Sequence, residues 1–188
     1  VHHPLPIDKR TDLAYLERAG SRVRRILFYP FVMQHLVTRR MDRVITVSED
    51  AAKETVDTFK VPREKIRVVH NGIDTLTFRR LSSETKEPGR LIVVANSADR
   101  KKGIIYLLWA VQLLREEMDV KLTIVDQGAP QNKYTPSLVQ KYGLDGSVSF
   151  TGRLTIDELV RHYNRAEVAV VPSLYEGFGL PAAEAMAC

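Results

Sequence analysis

The sequence contains a single cysteine, Cys188, among its 188 residues. One cysteine excludes a disulfide scaffold and a cysteine-rich zinc site, and it is typical of a protein from a reducing compartment. No apolar run approaches the ~20 residues that a membrane-spanning helix needs. Aromatic residues make up only 7% of the chain and are not interleaved with basic ones, so we expect no nucleic-acid partner.

Several common catalytic motifs are also missing. The sequence has no GxxxxGK phosphate-binding loop, no GxGxxG fingerprint and no GxSxG nucleophile elbow. Beside His2 and His3 there is neither a cysteine cluster nor an acidic pair, which disfavours a metal site there. We therefore expect a protein without a metal ion and without a cofactor.

The composition is that of a folded domain, with 44% hydrophobic and 27% charged residues. A chain of this length can bury about 70% of its unfolded surface and build a core without covalent cross-links. The formal net charge of +5 is unevenly distributed, because residues 1–80 carry 16 basic and 10 acidic side chains and residues 81–188 carry 12 and 13. This asymmetry indicates two parts with different partners.

The basic excess includes a cluster between Ser21 and Arg43, where arginines occur beside large apolar residues. Pro30 is expected to kink or break a helix in this segment. One interpretation is a pair of core-facing helices with a solvated basic face. The alternative is a surface that contacts anionic lipid or an anionic acceptor. We accordingly expect a cytoplasmic protein, with peripheral contact at the inner face of a membrane as the second interpretation.

Short strands alternate with helices along the rest of the chain. Ser48 is a good N-cap for a helix between the first two strands, and Thr155 with Glu158 has the spacing of a capping box. This alternation predicts an α/β doubly wound parallel sheet. Strands are predicted at 43–47, 66–70, 91–95, 120–125, 148–151 and 168–171, with helices after residue 48, at 103–115, 136–142 and 155–165, and from 181.

A stretch rich in turn residues divides the chain between Asn71 and Gly89. We predict the later part of a first domain at residues 1–80, a linker at 81–89 and a second domain at 90–188. Residues 1–3 resemble the end of a strand, and Cys188 comes two turns into an apolar helix. We therefore expect a piece of a longer protein in which both domains are incomplete.

The segment Tyr175–Ala187 combines two glycines, a proline and two glutamates where a strand passes into a helix. The glycines permit a tight turn, and Pro181 suits the first turn of a helix. The free amides and the dipole at such a helix start form an anion site, beside which Glu176 and Glu184 would accept hydrogen bonds from sugar hydroxyls. The alternative is a Gly-Pro turn with solvated glutamates.

A second candidate, Asp99-Arg100-Lys101-Lys102-Gly103, also lies between a strand and a helix. Three consecutive cations beside a helix N-terminus oppose the helix dipole, so they need a compensating anion. A bound diphosphate would supply it. The alternative is a solvated charged loop.

Together these segments resemble the retaining glycosyltransferases of family 4. The stretch from Glu176 to Glu184 is similar to that family's Glu-x7-Glu signature. The resemblance covers the chain from about His2 to Cys188. Further segments in the family's order and spacing are RVITVS at 43–48, VHNGID at 69–74, Lys102-Gly103 and AVVPS at 169–173.

The resemblance implies the GT-B fold, in which two Rossmann-like domains face each other across a cleft. The second domain would hold a nucleotide diphosphate sugar, and the first a sugar or lipid-linked acceptor. The family pattern implies catalytic roles for Glu176 at the donor sugar, for Lys102 at the leaving diphosphate, and for His2, or else His3, at the donor sugar. It also implies donor binding by Glu184 at the ribose, and at the diphosphate or sugar by Gly177, Phe178, Gly179 and Leu180.

The sequence departs from the family pattern at one place. Many members have Gly-Arg shortly before the Lys-Gly pair, and that arginine helps to hold the diphosphate. Asn96 and Ser97 occupy those positions here, so Arg100 or Lys101 would replace the arginine, and Ser97 is counted among the donor-binding residues. The resemblance further implies transfer with retention of configuration and without a metal ion, the leaving diphosphate being stabilised electrostatically.

Two other functions stay open at this point. One is a non-catalytic module that binds a nucleotide sugar, and the other is a different GT-B enzyme, an epimerase or a phosphorylase. The presence of Glu176, Glu184 and Lys102 favours the transferase. Residues 1–188 alone are expected to be inactive, because both domains would be incomplete.

Overall fold

The computed structural model describes Met33, residues 36–126 and residues 133–188. The chain forms two compact units, Val1–Asn71 and Gly72–Cys188. His2 and His3 lie outside the described residues, as does most of the basic segment that begins at Ser21. No helix in the described ranges is both long enough and apolar enough to cross a membrane.

The described part of the first unit contains helical residues at 36–40, followed by a strand–helix–strand crossover with parallel strands. Ser48 caps the helix as predicted, because its hydroxyl accepts a hydrogen bond from the amide of Ala51 at 3.1 Å. The helix ends before Pro62, at Lys60, which adopts the left-handed conformation with φ of 54°. The elements are β1 (Val44–Thr46), α1 (Glu49–Phe59), a 3-10 turn (Arg63–Lys65) and β2 (Ile66–Val68).

The second unit contains a four-stranded sheet with the order β5–β4–β3–β6, in which every pairing is parallel. The parallel sheets and their connecting helices confirm the predicted α/β class. The elements are β3 (Glu87–Ala95), α2 (Ile104–Leu114), β4 (Lys121–Asp126), α3 (Tyr134–Lys141), β5 (Val148–Phe150), α4 (Ile156–Arg165), β6 (Ala166–Ala169) and α5 (Leu180–Ala187).

Both faces of this sheet are covered by helices. Successive side chains of β3 and β4 point to opposite faces, so each face contributes apolar residues to a separate core. Val93 and Ile124 pack with α2 and α3 in one core, whereas Ile92 and Val125 pack with α4 in another. All four side chains are 1% exposed or less. Burial on both faces explains why these strands have nearly continuous apolar sequences instead of alternating ones.

Two strands begin at least two residues before their predicted starts, and the limits of the other four differ from the prediction by one or two residues. β3 begins at Glu87 instead of Leu91, so it includes three residues of the predicted linker, and its pairing with β6 shifts register between Glu87 and Leu91. The proline and glycine there suit the irregular start of a strand but mask it in the sequence. β6 occupies Ala166–Ala169 instead of 168–171, because it follows α4 without a loop and starts with residues of low strand propensity.

Candidate active site

The order of the strands reverses between β3 and β6. From β3 the chain passes through α2 and α3 to β4 and β5 on one side, and it returns through α4 to place β6 on the other side of β3. In open α/β sheets, ligands bind outside the carboxyl ends of the strands at such a switch point. Two loops leave the carboxyl ends of these strands, residues 96–103 after β3 and residues 170–179 after β6. They contain the segment Asp99–Gly103 and the start of the segment Tyr175–Ala187, which continues along α5.

The backbones of these two loops are in direct contact. Gly103 has φ of 66°, and a β-carbon at this position would lie 2.0 Å from the carbonyl oxygen of Pro172. Only glycine fits both the left-handed conformation and this close approach. The amide of Leu174 also donates to the carbonyl oxygen of Lys101 at 2.8 Å. The loops are therefore fixed together where their charged side chains meet.

An ion pair joins the loops through their side chains. Lys102 Nζ donates to Glu176 Oε1 at 2.7 Å, and Ser173 Oγ donates to the same oxygen at 2.7 Å. The side chains of Lys102 and Glu176 are 26% and 23% exposed. Both groups therefore remain accessible to a ligand at the carboxyl edge of the sheet, although most of their surface is covered by protein.

The remaining cations of the first loop lie on a short helical turn. Asp99 begins this 3-10 turn (Arg100–Lys102) by accepting a hydrogen bond from the amide of Lys101 at 2.9 Å. Arg100 is exposed and Lys101 is partly exposed. The turn places all three predicted cations before the N-terminus of α2, as the sequence indicated.

Ser97 lies beneath the same loop and is only 3% exposed. Its hydroxyl donates to Asp126 Oδ2, and its amide donates to Asp126 Oδ1 at 3.2 Å. Its carbonyl oxygen accepts from the hydroxyl of Thr135 at 2.8 Å. These contacts tie the start of the loop to the end of β4 and to the first turn of α3. The role of Ser97 in donor binding stays a prediction, and its buried hydroxyl would act on the site by holding the loop.

The start of α5 has fewer available amides than the sequence suggested. Gly179 precedes the helix in the left-handed conformation with φ of 84°, and Pro181 has no N–H to offer. The amides of Ala182 and Ala183 donate to the carbonyl oxygen of Gly179 at 3.0 and 3.3 Å. The prediction of an anion site therefore depends on the amides of residues 177–180, which come before the proline.

Glu184 lies on α5 and is partly buried. Its Oε2 accepts a hydrogen bond from the hydroxyl of Tyr163 at 3.2 Å. Burial raises the pKa of Glu184, and the hydrogen bond from Tyr163 opposes that rise. Glu176 stands in the loop before this helix, so one loop-and-helix unit carries both glutamates of the predicted signature.

Two side chains at the site were missed in the sequence. Ser173 belongs to a segment that only supported the family resemblance, and Tyr163 lies on the apolar face of α4, where helical spacing indicates a core residue. A buried tyrosine hydroxyl requires a hydrogen-bond partner, which is a signal that spacing alone does not use. Among the described residues, no group of three or more His, Cys, Asp and Glu side chains is arranged to hold a metal ion.

The chain matches two known family patterns in succession. Residues 77–188 match the family described as glycosyl transferases group 1, and residues 1–76 match Glycosyltransferase Family 4. The chain therefore belongs to the group 1 glycosyltransferases, as the sequence resemblance predicted.

Among its relatives is the MMP alpha-(1->4)-mannosyltransferase of Mycolicibacterium hassiacum, which is 39% identical over 189 residues. That alignment covers 100% of this chain but 45% of the relative, so the chain spans less than half the length of this protein.

Two solved structures share the fold, which is GT-B. The sucrose-phosphate synthase of Thermosynechococcus elongatus superposes with a TM-score of 0.73 and 27% identity, covering 84% of this chain and 41% of that one. Anabaena Alr3699/HepE in complex with UDP-glucose superposes with a TM-score of 0.70 and 19% identity, covering 84% of this chain and 46% of that one. At 19% identity the second likeness concerns the fold alone.

Proposed function

We propose that the protein transfers a sugar from a nucleotide diphosphate sugar to an acceptor with retention of configuration. The observation that carries this proposal is the convergence of Lys102 and Glu176 at the carboxyl edge of β3 and β6, where the switch point of the sheet favours a ligand. Family membership supports the class of reaction.

Lys102 is proposed to neutralise the diphosphate as it leaves the sugar. The bond between the anomeric carbon and the diphosphate oxygen breaks, and its electron pair stays with the diphosphate. The ammonium group and the amides of residues 177–180 are the proposed donors to that developing negative charge, which would be electrostatic stabilisation of the transition state. Arg100 and Lys101 lie on the same turn, and one or the other is proposed to replace the arginine that many family members have.

Glu176 is proposed to contact the donor sugar. Its carboxylate pairs with Lys102 and Ser173 through one oxygen, Oε1. When a diphosphate binds, the lysine ammonium has a second anionic partner, and the carboxylate becomes available to sugar hydroxyls. Ser173 would keep the carboxylate in place during this exchange. Glu184, farther along on α5, is proposed to accept hydrogen bonds from the ribose hydroxyls.

The relatives suggest which donors to test first. The relative in Mycolicibacterium hassiacum is named as a mannosyltransferase, and Anabaena Alr3699/HepE was solved with UDP-glucose. We therefore place GDP-mannose and UDP-glucose at the head of the donor panel. A sugar or lipid-linked acceptor, peripheral membrane contact through the basic segment, and the role of His2 all concern residues largely outside the described part of the chain, and they stay predictions.

A donor panel tests the proposal on the full-length protein. With GDP-mannose, UDP-glucose, UDP-N-acetylglucosamine and ADP-glucose as donors and simple glycosides as acceptors, we expect turnover of at least one donor. Proton NMR of the product should give the anomeric configuration of the donor. Lys102→Ala should lower the rate about 10²–10³-fold, as the loss of a transition-state donor does.

Lys121→Ala is the matched control for Lys102→Ala. Lys121 is exposed and is the first residue of β4, so it lies at the amino ends of the strands, opposite the carboxyl ends near Lys102. Its replacement should leave the rate unchanged. If the folded protein binds nucleotide sugars but transfers no sugar, the proposal of an enzyme is contradicted and a binding module is favoured. An inverted product anomer would contradict retention of configuration.

A further inference from the structure

Tyr163 is held rigidly in the core of the second unit. It is 3% exposed and packs with Ile92 and Val125 of the sheet. The ring of Phe78 meets it edge-on, with the centroids 6.4 Å apart and the planes at 60°. An aromatic side chain surrounded in this way has little freedom to turn, so the direction of its hydroxyl is set by packing.

The neighbouring residue fixes the segment that carries Phe78. Asn164 is 4% exposed, and its amide group donates to the carbonyl oxygen of Arg79 at 3.0 Å while its side-chain oxygen accepts from the amide of Leu81 at 2.8 Å. These hydrogen bonds attach residues 79–81 to α4. Tyr163 is thus enclosed by the sheet on one side and by an anchored segment on the other.

The hydroxyl of Tyr163 reaches the one carboxylate of α5. Burial raises the pKa of Tyr163, so the hydroxyl keeps its proton and donates a hydrogen bond to Glu184 Oε2 at 3.2 Å. The thiol of Cys188 directly follows α5; its pKa is raised chiefly by burial, and the charge of Glu184 adds to that rise. Within the described residues, Tyr163 is therefore the hydrogen-bond donor that burial of this carboxylate requires.

We propose that Tyr163 is a positioning residue that orients the carboxylate of Glu184 toward the ribose of a bound nucleotide. This inference rests on the proposed function. The hydroxyl hydrogen-bonds to Oε2, so it restricts rotation of the carboxylate and leaves Oε1 to contact a ligand. Binding to a carboxylate that is already oriented loses less side-chain entropy than binding to one that rotates freely.

Tyr163→Phe removes only the hydroxyl and keeps the ring that packs the core. Calorimetry on the full-length protein with UDP and GDP should show an affinity about tenfold lower than that of the wild type, the effect of losing a hydrogen bond to a charged group. The same variant should bind the 2′,3′-dideoxy forms of these nucleotides as the wild type does. In a Glu184→Gln background, Tyr163→Phe should cause little further loss.

The pH dependence separates positioning from a purely structural role. The carboxylate accepts from ribose hydroxyls when it is ionised, so nucleotide affinity should fall as pH falls through the pKa of Glu184. The tyrosine hydrogen bond lowers that pKa, so in Tyr163→Phe the midpoint should move to higher pH. A uniform loss of affinity at every pH, equal for ribose and dideoxyribose nucleotides, would overturn the proposal.

Tyr142→Phe is the control, since Tyr142 packs against the core on the other face of the sheet. It should leave affinity, midpoint and thermal stability near the wild-type values. Unchanged affinity of Tyr163→Phe for a nucleotide that the wild type binds would overturn the role of Tyr163 alone. Failure of the folded wild type to bind UDP, GDP or ADP would overturn the proposed function together with it.

Discussion

Lys102 and Glu176 are 74 residues apart in the sequence and touch through an ion pair of 2.7 Å. Ion pairs that solvent reaches contribute between 0 and about 1 kcal/mol to stability, because hydration and side-chain entropy offset most of the attraction. An arrangement that contributes so little to the fold fits a site that binds charge better than it fits a structural device. Ser173 supports this view, since its hydroxyl donates a hydrogen bond to the same carboxylate oxygen.

Glu176→Gln tests whether Glu176 belongs to a charge-binding site or only stabilises the fold. The substitution keeps the size of the side chain and removes its charge. We expect the free energy of unfolding, measured by urea titration, to change by no more than about 1 kcal/mol. The rate of sugar transfer should fall about 10²–10³-fold. A loss of stability that accounts for the loss of activity would assign Glu176 to the fold instead of to the chemistry.

At the scale of elements, the site depends on how two loops approach each other. β3 and β6 are neighbours, so the loops after them leave the same edge of the sheet, and Gly103 lets their backbones come into contact. Ser97 and Asp126 hold one loop from beneath, and the hydrogen bond between Leu174 and Lys101 holds the other against it. The charged side chains are therefore positioned by backbone geometry before any ligand arrives.

Gly103→Ala tests the importance of that contact. Its β-carbon would lie 2.0 Å from the carbonyl oxygen of Pro172, and the left-handed φ of 66° adds strain. We expect a loss of about 3 kcal/mol in the free energy of unfolding and weaker nucleotide binding, because the loops must separate. Gly146→Ala is the control, since a β-carbon there meets nothing within 4 Å. Equal effects of the two substitutions would show that the contact between the loops is unimportant.

The alternation of strands and helices was predictable because each element has a local signal. Ser48 and the pair Thr155 and Glu158 marked helix starts that the structure confirms. β6 was predicted two residues late, since its sequence begins with Ala166 and Glu167 and no turn separates it from α4. Local signals fail where one element passes directly into the next.

The candidate site was predictable in its parts but not in its contacts. The motif around Glu176 and the cations around Lys102 are visible in the sequence, yet their pairing depends on the order of the strands, which no local pattern records. Tyr163 went unnoticed because its spacing on α4 is that of a core residue, and it is a core residue whose one polar atom serves Glu184. A residue that both packs in the core and donates a hydrogen bond to the site is recognised only in the structure.

For the whole molecule, the basic excess of residues 1–80 contrasts with the nearly neutral second part, where the cations that matter are clustered at one loop. Local placement of charge, and not the net charge of +5, indicates the ligand. We propose on these grounds that the carboxyl ends of β3 and β6 hold a nucleoside diphosphate.

The decisive experiment is a crystal structure of the full-length protein with bound UDP or GDP. We expect the diphosphate beside Lys102 Nζ and the amides of residues 177–180, with the ribose hydroxyls on Glu184 and the Tyr163 hydrogen bond retained. A nucleotide bound away from these strand ends, or bound here with its ribose turned away from Glu184, would contradict the proposal.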